Sequence, residues 1–227
     1  MNKLSFFIII LFFLWIPFIG YSEEKCENIQ CVKTQYEKAD LELNRLYKKI
    51  ITTLNTTDKK ELINNEIDWI NTKEYICGFQ AQLAQMDTKD IIKNVEYYNC
   101  LKDFTQTRIE YLQSYLNKNL TNDITGYYTD SMGGILEITR NKNNTINFNL
   151  TVVRGPTAHI GELDGIIKIN KKSGEYKDTE MCKELNTPCC KLTFQIFDEK
   201  IVVKEYDCQA FHGVRAYFDG TYRKIKN

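Results

Sequence analysis

Two histidines, a set of charged residues at helical spacing and eight cysteines are the side chains of this 227-residue chain that could do chemistry. His159 lies in Ala-His-Ile-Gly-Glu-Leu-Asp-Gly and His212 in Phe-His-Gly-Val-Arg. Imidazoles beside Glu162 or Asp164 could hold a divalent metal, yet no helical or hairpin spacing enforces such a set. A turn hydrogen bond next to each glycine is the expected role. Asp40, Asn44, Lys73, Glu74 and Arg108 sit on stretches of helical pattern, where opposite charges facing one seam could tune acid–base groups. The first half holds no histidine and its cysteines suit cross-links, so a nucleophile–base pair cannot be assembled there. These five residues are expected to form a structural ion cluster that fixes helix register, with Trp69 as a core anchor. No catalytic set, metal or cofactor is expected, and no glycine pattern of the phosphate-cradling kind is present.

The elements that position these residues change character midway. Val32, Tyr36, Ala39, Leu43, Leu46 and Ile50 step by four and three, the seam of one long helix. Asp58 with Glu61 suggests a capping-box start for a second helix, on which Ile63, Ile67, Ile70, Glu74 and Cys77 share a face with Trp69 beside them. A third helix is expected from about Thr88 to Asn117. Short connections favour a three-helix antiparallel unit over residues 23–118. With alternating directions, Cys31, Cys77 and Cys100 fall at one end of it.

From Ile124 the pattern turns to short alternating runs punctuated by glycine. Expected strands are Gly126–Asp130, Ile135–Arg140, Ile146–Val153, Gly165–Ile169, Cys190–Phe197, Ile201–Tyr206 and Val214–Arg223, with turns such as Ser173-Gly174. The fold class is therefore α+β: a disulfide-tied helical domain, then an antiparallel barrel or sandwich over 124–227. Gly126-Tyr127-Tyr128 and Gly220-Thr221-Tyr222 look alike, and pairing the first and last strands would close the sheet.

Met1-Asn2-Lys3, the apolar run Leu4 to Ile19, and small residues at Gly20 and Ser22 predict a signal peptide over 1–22, cut before Glu23. Export makes the eight cysteines a disulfide framework rather than a zinc site. With a three-residue loop at Asp198-Glu199-Lys200, Phe197 faces Ile201, and Cys190 then falls opposite Cys208. Cys182 and Cys189 remain to close a small loop. In the first half the choice is Cys31–Cys77 with Cys26–Cys100, or Cys77–Cys100 with Cys26–Cys31; cross-bundle ties favour the former. Removing the leader leaves 29 basic and 30 acidic residues, no footprint for nucleic acid or anionic membrane.

Three spacings recur in the helical half. Ala39-Asp40-x-x-Leu43-Asn44-x-x-Tyr47 lies on the first helix; Trp69, Lys73-Glu74 and Cys77 on the second; Cys100, Thr105, Arg108 and Leu112 on the third. Together they resemble the lysozyme inhibitor LprI family, whose helices read A-D-x-x-L-N-x-x-Y, W-x-x-x-R-D-x-x-C and C-x4-T-x-x-R-x-x-x-L. Lys73-Glu74 replaces the family's Arg-Asp, which keeps charge but loses the bidentate fork. In members of this group a small β-domain similar to the MliC lysozyme inhibitors can follow, with a Ser-Gly-x-x-Tyr loop that enters the lysozyme cleft. Ser173-Gly174-Glu175-Tyr176 is one residue shorter. The resemblance implies a periplasmic or secreted, non-enzymatic inhibitor with lysozyme as partner. In such a loop Ser173 with Lys171, Lys172 or Lys177 would meet the two catalytic carboxylates, and Tyr176 would add contact area. The alternative is a module binding a small envelope component or a protein, with the barrel mouth as its site.

Overall fold

The computed structural model describes residues 26, 28–84, 93–116 and 123–226. The expected signal peptide and most of the expected connector lie outside these residues. Three helices come first: α1 (Ile29–Ile51), α2 (Thr56–Ala84) and α3 (Val95–Gln113). Each starts behind an asparagine whose side-chain oxygen accepts orphan backbone N–H groups. Asn28 takes Cys31, Asn55 takes Thr57 and Asp58, and Asn94 takes Glu96 and Tyr97. The cap of α2 is thus Asn55, and Asp58 instead accepts from the Asn55 amide at 2.6 Å.

One core cluster joins Ile50 near the end of α1, Leu62 early in α2 and Leu112 late in α3. A second joins Val32, Cys77, Tyr98 and Leu101 at the opposite end, beside Cys26 and Cys100. The helices therefore run up, down and up, and all four cysteines meet at one end. There the disulfides are Cys26–Cys31 and Cys77–Cys100. The favoured cross-bundle pairing fails because the chain before α1 folds back on the first helical turn, where Cys26 reaches Cys31 with Cα atoms 5.5 Å apart. That leaves the ends of α2 and α3 to be tied to each other.

The face of α2 also differs from expectation. Leu62, Glu66, Trp69, Lys73, Ile76 and Cys77 point inward, while Ile63, Ile67 and Ile70 are 37%, 53% and 43% exposed. Apolar and polar residues are spread almost evenly around α2, so spacing alone did not choose the buried side.

Eight strands follow: β1 (Gly126–Thr129), β2 (Ile135–Arg140), β3 (Thr145–Arg154), β4 (His159–Lys168), β5 (Ser173–Lys177), β6 (Lys191–Ile196), β7 (Lys200–Tyr206) and β8 (Gly220–Lys226). A short helix, α4 (Met181–Leu185), separates β5 from β6. All pairings are antiparallel, in the order β4-β3-β2-β1-β8-β7-β6-β5, so the first and last strands are neighbours. Three strand expectations change. β4 begins at His159 rather than Gly165, Ser173-Gly174 opens a strand rather than a turn, and β8 begins at Gly220, not Val214, which is 78% exposed.

Alternate residues of the strands fill the interior. Leu136, Ile138, Phe148, Leu150, Phe194, Val203 and Tyr222 are among those buried in one core. Burial of each large side chain contributes roughly 1.5–3 kcal/mol. The sheet's two outer strands, β4 and β5, come together at a seam where the Tyr176 ring lies on Gly165. A Cβ at Gly165 would sit 2.5 Å from that ring, so only glycine fits. Tyr176 also packs edge-on against Phe148, with ring centroids 5.2 Å apart.

The β6–β7 hairpin has a two-residue turn, Asp198-Glu199, closed by the Phe197 N–H to Lys200 carbonyl bond. Ile196 therefore faces Ile201 and Lys191 faces Tyr206, one position off the expected register. Asp207, with φ of 57°, inserts one extra residue in the left-handed region. That residue brings Cys208 back opposite Cys190, and the two are joined with Cα atoms 4.3 Å apart. Cys182 and Cys189 close the loop that carries α4.

The helical domain packs against β8 and the β1–β2 turn. Arg223 stacks on Tyr115 at 3.8 Å, donates to Ser114 Oγ at 3.2 Å and pairs with Glu199 at 3.1 Å. Met132, in the β1–β2 turn, joins the helical core.

Burial raises the phenol pKa of Tyr36 to about 12 and pushes Tyr111, Tyr115, Tyr128 and Tyr222 upward as well. The unfolded chain ionises near pH ~10. Stability from these neutral phenols is complete below that pH and is lost as pH rises through the folded values. An alkaline titration is expected to show exposed tyrosines ionising first. The buried group should ionise only as near-ultraviolet circular dichroism collapses. Smooth ionisation of every tyrosine with the fold intact would contradict this.

Candidate functional site

Three places gather polar chemistry. The first is the centre of the helical domain. Arg108 on α3 is enclosed: its Nε and Nη2 donate to Glu66 Oε2 on α2 at 3.1 and 2.7 Å, and its Nη1 donates to the Ser131 carbonyl at 3.2 Å. Its guanidinium also lies 4.7 Å from the Tyr111 ring and 5.6 Å from that of Trp69. All three guanidinium contacts are committed, and one reaches the β1–β2 turn.

Lys73, one turn after Trp69, is 5% exposed. Its ammonium is 4.6 Å from the Trp69 ring, 5.4 Å from the Tyr36 ring and 3.5 Å from the Tyr36 hydroxyl. Burial lowers its pKa, opposed by the charges of Asp40, Glu74 and Glu66. Asp40 itself accepts from Asn44 one turn on, at 3.0 Å, and Glu74 is exposed. Four of the five expected residues are thus distributed over an intrahelical pair, an aromatic cage and a buried ion pair, and Glu74 lies outside all three. Glu66, the carboxylate that Arg108 meets, was absent from the expected set. Its only sequence signal is its place one turn before Trp69 on the same face.

A family model described as Lysozyme inhibitor LprI matches residues 20–112. This segment is LprI-like. The motif residues of the LprI-like segment are the ones just placed: Asp40-Asn44 on α1, Trp69 and Lys73 on α2, Arg108 on α3. In this chain Lys73 and Arg108 bind the helices to one another and to the β1–β2 turn, whereas the Asp40–Asn44 pair lies within α1, with Asn44 exposed. No curated protein and no solved structure matches the chain.

The second place is the end of the barrel spanned by the β7–β8 connection. His212 Nε2 is 3.0 Å from Glu205 Oε1, and its Nδ1 is 2.8 Å from the Gly213 carbonyl. Both ring nitrogens thus have an oxygen partner. The other Glu205 oxygen accepts from the Phe218 N–H at 2.6 Å. Gly213 lies directly against the His159 ring, so the two histidines do approach. The carboxylate that meets His212 is Glu205, whereas Glu162 and Asp164 face outward on β4. The His212 side chain is 1% exposed, which suits a clasp holding the connection to the barrel. Among the described residues no three His, Cys, Asp or Glu side chains converge on a metal position.

The third place is the opposite rim. Asn170 and Ser173 pair across a tight turn with Lys171 and Lys172 at its tip, and Lys171 has φ of 57°. Lys172 donates to Asp198 at 2.8 Å, with both side chains exposed, and Ser173 Oγ donates to the Asn170 carbonyl at 3.2 Å. Lys177 is exposed farther along β5, opposite Lys191. Tyr176 is turned into the seam against Gly165. Lys171, Lys172 and Ser173 thus share one projecting tip, from which Tyr176 and Lys177 are separated.

Proposed function

We propose that the protein is exported to the periplasm or beyond and acts there by contact, as an inhibitor of lysozyme. The match of residues 20–112 to the LprI family carries this reading. The four disulfides suit an oxidising compartment. Among the described residues no helix is long and apolar enough to cross a membrane. A lysozyme cleaves its substrate with two carboxylates set in a cleft. A narrow turn tipped by two ammonium groups offers charge-assisted hydrogen bonds to such a pair. The exposed Lys172–Asp198 pair is weakly held and can be exchanged for a carboxylate of the partner.

The test is muramidase activity with the oxidised chain beginning at Glu23. Stoichiometric inhibition is expected. Lys172→Ala combined with Ser173→Ala is expected to weaken it by about tenfold or more. An unchanged rate at excess protein, across lysozymes of different classes, would overturn the reading.

A further inference from the structure

The rim that carries the Lys171-Lys172 turn also encloses a cavity of about 400 Å3, within the roughly 300–1,000 Å3 of small-molecule sites. Its floor is aliphatic: Ile124, Ile146, Ile169 and Ile196, with Ile146 and Ile196 being core residues of the barrel. Phe197, 40% exposed, forms one wall. Around the opening stand Arg140, Lys171 and Lys172, against Asp198 in the lining and Asp123 paired with Arg140. This local excess of positive charge occurs in a chain whose formal charge is zero.

The rim is built rather than incidental. Asn143 and Asn144, with φ of 60° and 57°, shape the β2–β3 turn, and the Asn144 carbonyl accepts from the Ile169 N–H at 2.8 Å. That bond fixes the β2–β3 turn to the start of the Lys171 turn, so the cations are held over the aliphatic floor. Arg140 is shared with Asp123 at 3.2 Å, both about half exposed, and exposed pairs of this kind are weak. Lys171 has no counter-ion among the described residues. An apolar floor under a cationic rim is complementary to a molecule with an alkyl chain and an anionic head.

We propose that this end of the barrel binds a single-chain anionic amphiphile, its head on Arg140 and Lys171 and its first methylenes against Phe197 and the isoleucines. The proposal does not rest on lysozyme inhibition, and its test contains no lysozyme. A free fatty acid and a phosphorylated single-chain lipid share this chemistry. Calorimetric titration below the micellar range is made with dodecanoate, dodecyl phosphate and dodecyl maltoside. Saturable one-to-one binding of at least one anion is expected, about tenfold or more tighter than the maltoside. The better anion identifies the source, carboxylate or phosphate.

Arg140→Gln with Lys171→Asn, the latter suited to the left-handed turn, is expected to weaken the anion about tenfold or more at unchanged melting temperature. Phe197→Ser should weaken all chains alike. Three results would each overturn the proposal: no saturable binding of either anion by folded protein, equal binding of the maltoside, or anion binding indifferent to the Arg140/Lys171 variant.

Discussion

Arg108→Met is expected to destabilise the chain by about 3–5 kcal/mol, the scale for removing one partner of a buried ion pair. The Glu66 carboxylate, whose side chain is 11% exposed, would be left without its two strongest donors. The Ser131 carbonyl would lose its donor as well, loosening the β1–β2 turn from the helices. Replacing both members, as in Arg108→Met with Glu66→Leu, is expected to cost much less than the single change, because no uncompensated charge remains. Urea unfolding of the two variants decides the matter. A loss below about 1 kcal/mol in Arg108→Met would mean that solvent already reaches the pair.

The second large effect concerns the helical disulfides. Opening Cys77–Cys100, separated by 23 residues, is expected to cost about 3–4 kcal/mol, against about 2 kcal/mol for Cys26–Cys31, separated by five. The first ties α2 to α3 beside the buried Tyr98 and Leu101, and the second only pins the entry to α1. Cys77→Ser and Cys100→Ser should therefore match each other, and Cys26→Ser and Cys31→Ser should form a milder pair. If Cys26→Ser instead behaves like Cys100→Ser, the connectivity crosses the bundle. Thermal melts of the four single variants under oxidising conditions separate the two patterns.

What was legible in the sequence follows a physical divide. The seam of α1 and the alternating strands could be read because their apolar period matches the element that buries them. The inward face of α2 could not. Glu66 and Lys73 occupy interior positions that polarity assigns to the surface, while three isoleucines remain partly outside. Only the arrival of Arg108, Trp69 and Tyr36 makes those positions tolerable for charge. Cys190 meets Cys208 although the β6–β7 register is one residue off the expected one. Asp207 in its left-handed conformation supplies the difference, and nothing in Tyr206-Asp207-Cys208 announces it. β5 was missed because Ser173-Gly174 carries a turn composition, and its strand conformation depends on pairing with β6. The approach of His212 to Glu205 is closed by the long β7–β8 connection, a tertiary fact without local signature.

The neighbourhood of β1 and β8 has a consequence for how the chain comes into being. The sheet consists of two four-stranded meanders, β1 to β4 and β5 to β8, and the joint between them needs the final strand, Gly220–Lys226. Synthesis delivers β8 after the seven other strands, so both halves wait with unpaired borders open to wrong partners. A chain interrupted before Gly220 would therefore lack the hinge-pin of the whole sheet.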